Sequence, residues 1–359
     1  MAPIKVAVLD DYKNFAGPAF ANLDPSVFEV SHFPDTSLPY NHPDTPQDAK
    51  DKLVARLLPF QAISTMRERT PFPAELVARL PNLKLLLTTG NRNLALDLPA
   101  FEKEGIPVVG AVNRAGPPEG PDSTTQHFLA LVLAAARSIP ADDAAVKEGG
   151  WQAGLAPFGL AGKVYGTVGL GRLGAKTAKI LHESFNMQVI AWSPNLTQDK
   201  ADAQARDAGL PVVDSRTGQK TFRAVSREEL FATADVVAVH LVLSERSRGL
   251  ITGQDLGRMK KDSIFVNTSR GPIVVEADLL EALEKGTIDR AALDVFDIEP
   301  LPADSPWRTT AWGRDGRGQV VLTPHTGYGE RLTMEKWYAE QAENLRRFAQ
   351  GEELQNRMI

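Results

Sequence analysis

The chain contains no cysteine, which excludes disulfides, thiolate catalysis and cysteine-ligated zinc, and fits a reducing compartment. It has no apolar run of membrane-spanning length, and Ile4–Leu9 already reads as a strand, so neither a membrane helix nor a signal peptide is expected. An excess of positive charge is missing too. The formal net charge of -5 leaves no basic patch or tail to favour nucleic acid. The six histidines, His32, His42, His127, His182, His240 and His325, form no HExxH or similar pair, and no metal site is expected. What remains is a cytoplasmic protein of ordinary globular composition, 43% hydrophobic and 24% charged, with length for about two domains.

The most informative stretch is Gly169-Leu170-Gly171-Arg172-Leu173-Gly174, which fits G-x-G-x-x-G. A β-favouring apolar run, Val164–Val168, precedes it, and Leu173, Thr177, Ile180 and Leu181 follow at helical spacing. Each glycine has a physical task. Gly169 permits the tight turn, Gly171 lets a pyrophosphate approach the backbone, and Gly174 lets helix and strand pack closely. The unpaired N–H groups and the positive end of the helix then face the phosphates. A second apolar run, Gln188–Trp192, ends about twenty residues on, as a dinucleotide fingerprint requires.

Before this stretch, apolar runs at 4–9, 28–30, 62–64, 83–87 and 107–109 alternate with helix-like segments such as 73–80 and 98–104, which predicts an open parallel sheet. The 83–87 run leads into Thr88-Thr89-Gly90-Asn91-Arg92-Asn93, a polar turn at a strand's C-terminal end, where such sheets place ligands. Arg92 there suits a carboxylate, or is an ordinary surface arginine. Residues 123–137 read as a helix apolar on most faces, suited to a place between two domains, with Ser123 or Thr124 as N-cap. His127 on it reads as a packed residue with no partner spaced for it.

Beyond the glycine turn, further apolar runs end on polar groups: Ser193, His240, Asn267 followed by Arg270, Asp294, and Thr323 followed by His325. Parallel strands bring their C-terminal ends to one edge, so these residues are expected to line one crevice. Residues 214–223 read as a surface hairpin. Residues 302–319, with Pro, Gly, Arg and two tryptophans, read as either a functional loop or a disordered one. A closing helix is predicted over 329–350, stopped by Gly351 and crossing back onto the first domain.

Four motifs in order resemble the D-isomer-specific 2-hydroxyacid dehydrogenases: the glycine turn, Asn267-Thr268-Ser269-Arg270-Gly271, Leu293-Asp294-Val295-Phe296 with Glu299-Pro300, and Pro324-His325-Thr326-Gly327. The resemblance runs from about Lys5 to the final helix, taking in Thr89-Gly90 and His240-Leu241. With the alternation above, it implies an α/β fold of two doubly wound parallel-sheet domains with a cleft between them. A Rossmann cofactor domain would span 113–326, and a flavodoxin-like substrate domain 1–112 with 327–359. It also implies a homodimer formed through the cofactor domain, and hydride transfer between NAD(P)H and a 2-oxoacid/D-2-hydroxyacid pair.

The family's roles fall on particular residues. Arg270 would bind the carboxylate and polarise the keto oxygen with its planar charged fork. His325 would be the general acid in reduction and the base in reverse. Glu299 would hydrogen-bond the far ring nitrogen and raise its pKa. Asn91 and Arg92 would join Arg270 at the substrate carboxylate. Gly169, Gly171, Arg172, Leu173, Gly174, Ser193, Asn195, His240, Thr268, Asp294 and Gly327 would bind the cofactor, Asp294 by orienting its carboxamide.

Two departures qualify the resemblance. Arg92 stands where a glycine is common, and the extra cation implies a substrate with a second anionic or polar group, with Arg67 and Arg69 placed to assist. At the end of the second cofactor-domain strand, Ser193-Pro194-Asn195 replaces the acidic residue that holds the ribose 2′-OH in NAD-specific sites. Ser193, Asn195 and Thr197 suit a 2′-phosphate, though no arginine immediately follows Ser193, so NADP(H) is slightly favoured and NAD(H) stays open. An interaction protein resembling the C-terminal-binding corepressors is the alternative to an enzyme. Formate dehydrogenases, by contrast, carry glutamine where Glu299 stands. The 302–319 insert is expected to cap the cleft or shape the substrate pocket, whose form decides among glyoxylate, hydroxypyruvate, phenylpyruvate and larger oxoacids.

Overall fold

Two parallel sheets organise the computed structural model, which describes residues 2–112 and 120–359. The first sheet contains β1 (Ile4–Leu9), β2 (Phe28–Phe33), β3 (Ala62–Thr65), β4 (Leu85–Thr88) and β5 (Val108–Val109), in the order β2-β1-β3-β4-β5. This is the flavodoxin-like order. The second contains β6 (Val164–Val168), β7 (Gln188–Trp192), β8 (Phe222–Ala224), β9 (Val236–Val239), β10 (Ile264–Asn267), β11 (Arg290–Leu293) and β12 (Gln319–Leu322), in the order β12-β11-β10-β9-β6-β7-β8. Its chain order reverses between β6 and β9, as in a Rossmann sheet, and that reversal is the switch point where ligands bind.

One compact unit takes the chain up to Val112 together with Ile298–Pro300 and Gly329–Ile359, and the other takes Gly120–Asp297 and Leu301–Tyr328. The central strands are apolar because parallel sheets are covered on both faces. Val6, Ala7, Val8, Leu85, Leu86 and Leu87 in the first sheet, and Val236, Val237, Ala238 and Val239 in the second, have no exposed surface. In the first unit the final helix, Arg331–Gln350, is capped by Glu330, which accepts from the N–H groups of Leu332 and Thr333 at 2.8 and 2.7 Å, and ends at Gly351 with φ +71°. It is tied down through Gln341, which accepts from Ser64 Oγ at 2.5 Å, and through the edge of Tyr338 against Phe20.

One local expectation changes. The helix Ser123–Ala136 is capped by Asp122, whose carboxylate accepts from Thr125 N at 3.0 Å, and not by Ser123 or Thr124. Asp122 holds the extended backbone that an N-cap needs, while Ser123 Oγ turns to the Tyr328 carbonyl at 3.2 Å. Within the second unit, Phe128, Leu131 and Val132 of this helix join a core with Tyr165, Val266 and Ala292. The 302–319 insert is ordered. It contains a helical turn, Pro306–Thr309, and Trp307 is buried in the second unit's core beside Phe296, while Trp312 Nε1 donates to the Trp307 carbonyl at 3.1 Å. Its tryptophans are anchors. The 214–223 segment is the expected hairpin, with Asp214 N donating to Gln219 O at 2.8 Å.

At the end of β1, Asp10 is buried in a left-handed conformation (φ 63°), and Thr70 Oγ1 donates to its Oδ2 at 2.8 Å. Burial pushes this carboxyl up from 3.8 to about 6, against the opposing pull of Thr70 and Arg69. A folded pKa above the unfolded one stabilises the fold below the unfolded value, and that contribution is lost as pH rises through the folded value. The shift corresponds to roughly 3 kcal/mol. Asp10→Asn keeps an acceptor for Thr70 and removes the titration. Urea unfolding from acid to neutral pH should therefore show wild type losing about that much stability relative to the variant; a pH-independent difference would refute the assignment.

Candidate active site

In the second unit β6 delivers the chain to the glycine turn. Gly169 has φ +103°, and a β-carbon there would stand 2.8 Å from the His240 carbonyl oxygen. One on Gly174 would stand 2.2 Å from the Gly169 carbonyl oxygen. Neither place has room for a side chain. Gly171 differs: it is the N-cap of the helix Arg172–Phe185, and among the described residues nothing beyond its own chain neighbours lies within 4 Å of the place a β-carbon would take and no side chain caps the helix. The helix start is therefore open at Gly171, which suits a pyrophosphate. Leu173 is half-buried in the first turn. Arg172 is largely exposed, and it and Lys176 both donate to Asp122, at 2.9 and 3.1 Å. Although burial opposes it, hydrogen bonds from Thr125 and Lys176 hold the Asp122 carboxyl below its ordinary value.

The turn after β7 carries Ser193, whose carbonyl accepts from Leu196 N at 3.1 Å, then Asn195, then Thr197 as cap of the helix Gln198–Asp207. Lys200, in that helix's first turn, folds back so that its ammonium donates to the Asn195 carbonyl at 2.8 Å. It puts a cation on this turn where the sequence offers no adjacent arginine. The pattern that reveals it is the cap, which fixes the direction of the helix start. Arg227 also approaches, stacked 5.3 Å from the Trp192 ring centroid, but its guanidinium is paired with Asp255 at 2.6 Å.

After β9, the His240 ring lies 3.0 Å from Tyr165 Oη and 3.3 Å from Thr177 Oγ1, and packs 4.9 Å from the Phe128 ring. Burial pushes its imidazole down from 6.5 to about 4, so it is neutral at physiological pH. What His240 brings to the glycine turn is its backbone oxygen. After β10, Asn267 builds the next loop from inside. Its Oδ1 accepts from Ser269 N at 3.0 Å and its Nδ2 donates to the Arg270 carbonyl at 3.1 Å, with Thr268 half-buried between. Ser269 Oγ ties the loop to the Leu241 carbonyl. Gly271 runs so close to Phe296 that a β-carbon would lie 2.0 Å from its carbonyl oxygen. Arg270 is thus held on a braced loop, with NH1 donating to the Ser269 carbonyl at 2.8 Å.

Asp294, buried at the end of β11, accepts from Thr323 Oγ1 at 2.6 Å, Thr326 N at 2.9 Å and Gly327 N at 3.0 Å, and its Oδ1 lies 3.2 Å from His127 Nε2. Its carboxylate thus gathers the loop after β12. His325 sits in the middle of that loop at φ +51°, a left-handed conformation that side chains other than glycine seldom adopt. Its ring meets the Tyr328 ring edge-on at 6.0 Å. His127 accordingly has a partner, Asp294, far away in sequence, and is not merely a packed helix residue.

In the first unit, Gly90 follows β4 with φ +78°, and Asn91 and Arg92 are exposed beside it. Arg67 backs this loop. Its N–H donates to Thr89 Oγ1 at 3.0 Å, and its NH1 lies 3.2 Å from where a Gly90 β-carbon would stand. Both arginines face carboxylates: Arg67 Nε lies 3.6 Å from Glu68 Oε2, and Arg69 NH1 3.6 Å from Glu299 Oε2. Among the described residues no cluster of His, Asp or Glu is arranged to hold a metal, and no helix is long and apolar enough to cross a membrane.

A family model described as "D-isomer specific 2-hydroxyacid dehydrogenase, NAD binding domain" matches residues 129–327. A D-3-phosphoglycerate dehydrogenase of Archaeoglobus fulgidus is 34% identical over 284 residues, 79% of this chain and 48% of the relative. A hydroxypyruvate reductase of Blautia hydrogenotrophica is 28% identical over 290 residues, 79% of this chain and 81% of the relative. The crystal structure of a phosphoglycerate oxidoreductase from Vibrio cholerae superposes with a TM-score of 0.77 at 32% identity, covering 97% of this chain and 99% of that one. The chain spans about half the length of the D-3-phosphoglycerate dehydrogenases it matches.

The three glycines of the turn make separable demands. Gly174→Ala should lower the melting temperature by several degrees or prevent folding, because its β-carbon meets backbone. Gly171→Ala should melt like wild type and weaken the binding of reduced nicotinamide cofactor, followed by fluorescence titration. Equal melting of all three proteins would overturn the packing argument, and unchanged binding by Gly171→Ala the cradle.

Proposed function

The chain belongs to the D-isomer specific 2-hydroxyacid dehydrogenase family, and from that membership we propose that it transfers a hydride between a nicotinamide cofactor and a 2-oxoacid/D-2-hydroxyacid pair. The observation that carries this reading is the second unit's own sheet edge, which holds an open glycine cradle, a braced arginine loop and a clasped histidine loop. When bound, the reduced nicotinamide supplies the hydride. Gly169, Gly171, Leu173 and Gly174 would hold its pyrophosphate, and Arg172, Thr268, Asp294, Gly327 and the His240 backbone would complete its site.

Arg270 binds the carboxylate in a planar two-point contact and draws charge from the keto oxygen. His325 would give the keto oxygen its proton in the reduction and receive it in the reverse direction. By resemblance to the family, Glu299 would orient the His325 ring, and Asn91 and Arg92 would help hold the acid. Arg92, exposed beside Gly90, supplies a cation beyond the one a monocarboxylate needs, which supports oxoacids with a second polar or anionic group.

NADP(H) is the preferred cofactor in this reading. Ser193, Asn195 and Thr197 line the turn after β7, and the Lys200 ammonium adds the positive charge that a 2′-phosphate requires. The hydroxypyruvate reductase is matched over most of its length, so hydroxypyruvate, which carries a hydroxyl besides its oxoacid group, heads the candidate substrates. A cytoplasmic location and a homodimer belong to the same proposal. The helix Ile139–Lys147 has no buried residue, and Ile139, Val146 and Trp151 are 53%, 55% and 78% exposed, an apolar surface suited to a second copy of the cofactor unit.

Two measurements test the proposal. Oxidation of NADPH and NADH should be followed against glyoxylate, hydroxypyruvate, phenylpyruvate and a dicarboxylic oxoacid. The expected result is turnover with a higher kcat/KM for NADPH and a loss of about a thousandfold in His325→Ala. No turnover of any oxoacid refutes the enzyme reading, and a strong preference for NADH refutes the cofactor assignment. Light scattering should give twice the chain mass, falling to one chain in Trp151→Lys. A wild-type monomer contradicts the assembly.

A further inference from the structure

We infer that His127 is a positioning residue for His325, acting through Asp294 and Thr323. The inference rests on the function proposed above for its kinetic readout, but its structural basis lies wholly within the second unit. Asp294 is buried, which favours the neutral acid, yet hydrogen bonds from His127, Thr323, Gly327 and Thr326 hold its carboxyl below the ordinary value. An ionised carboxylate only accepts. Thr323 has a single hydroxyl proton, and at 2.6 Å it is given to Asp294 Oδ1. His127 Nε2 lies 3.2 Å from the same Oδ1 and 3.0 Å from that hydroxyl oxygen, so both of its neighbours need a donor. This network assigns the hydrogen to Nε2, whatever the state of Nδ1.

The consequence reaches His325 through the backbone. The groups that Asp294 gathers belong to residues 323, 326 and 327, on both sides of His325. They hold the loop closed around a residue in the left-handed region. His127 braces this arrangement twice, by donating to the carboxylate and by standing against Gly327, where a β-carbon would lie 3.2 Å from His127 Cδ2. The same helix adds a third tie beyond the loop, Ser123 Oγ to the Tyr328 carbonyl at 3.2 Å. The helix from Ser123 to Ala136 is thus the platform that fixes the position of the proton-bearing loop.

The test compares His127→Leu, which keeps bulk and removes the donor, with His127→Gln, whose amide N–H replaces it. In the intact enzyme, with an oxoacid that wild type turns over, the leucine variant should lose at least about tenfold in kcat, since small displacements of a reacting group are costly. Cofactor Kd should stay within about twofold of wild type, and the glutamine variant should recover most of the rate. A leucine variant with wild-type kcat overturns the inference. So does an equal loss in both variants, which marks a packing role alone. Should the leucine variant fail to fold, Thr323→Val removes the hydroxyl that links the three side chains and is read the same way. Lack of activity in wild type refutes the proposed function and not this inference, which is then decided by the crystal structure of His127→Gln beside that of Thr323→Val. The first should keep His325 at positive φ and the second should release it. Positive φ in both overturns the inference.

Discussion

A single buried carboxylate, Asp294, joins three separate segments of the second unit. Its hydrogen-bond donors come from a helix near the start of that unit, from the end of β12 and from the backbone beyond His325. No neutral side chain does this work as well, because a carboxylate offers about four acceptor positions and no competing donor. Removing one partner of such a buried set leaves the others unsatisfied, and that penalty exceeds the net value of any one bond. The helix, the strand end and the loop are therefore coupled through one side chain.

The parallel sheet explains why that junction lies on the same edge as the glycine turn. Val168 is paired with Trp192 on one side and Val239 on the other, Asn267 with Val239 and Leu293, and Leu293 with Leu322. The last residues of these strands are thus level across the sheet. Whatever follows each strand emerges along one edge: Gly169, Ser193, His240, the Arg270 loop, Asp294 and the His325 loop. The close approaches of Gly169 to His240 and of Gly271 to Phe296 hold adjacent loops together by backbone contact.

Much of this is legible in the residues. Strands covered on both faces read as unbroken apolar runs, and the glycine turn states its own geometry, because two of its positions admit no side chain at all. Harder to read is anything set by what lies opposite in three dimensions. Helical periodicity puts His127 on a buried face but cannot name Asp294, 167 residues away. Lys200 reaches the Ser193 turn only because Thr197 starts a helix that folds the chain back. Arg69 reads as a cation for substrate, and space pairs it with Glu299. The cap of the first helix in the second unit shifts to Asp122 because Ser, Thr and Asp all suit an N-cap and only the backbone chooses among them. Trp307 and Trp312 look like loop aromatics until burial shows that they anchor the insert.

The histidines show how environment, rather than residue type, distributes chemistry. His240 is neutral at physiological pH because burial beside Phe128 and Tyr165 pushes its pKa down to about 4, so it has no second proton to give. His127 commits its Nε2 hydrogen to Asp294 and Thr323. His182 has one ring nitrogen at the Met187 carbonyl and the other against Arg216, in the hairpin region, while His32 and His42 belong to the first unit. Of the second unit's histidines, the one carried on a loop at the sheet's binding edge, with its backbone held left-handed by a clasp built from other residues, is His325. A proton donor needs a ring whose position is fixed, and the clasp of Asp294, Thr323 and His127 contributes to that by gathering the backbone on both sides of His325.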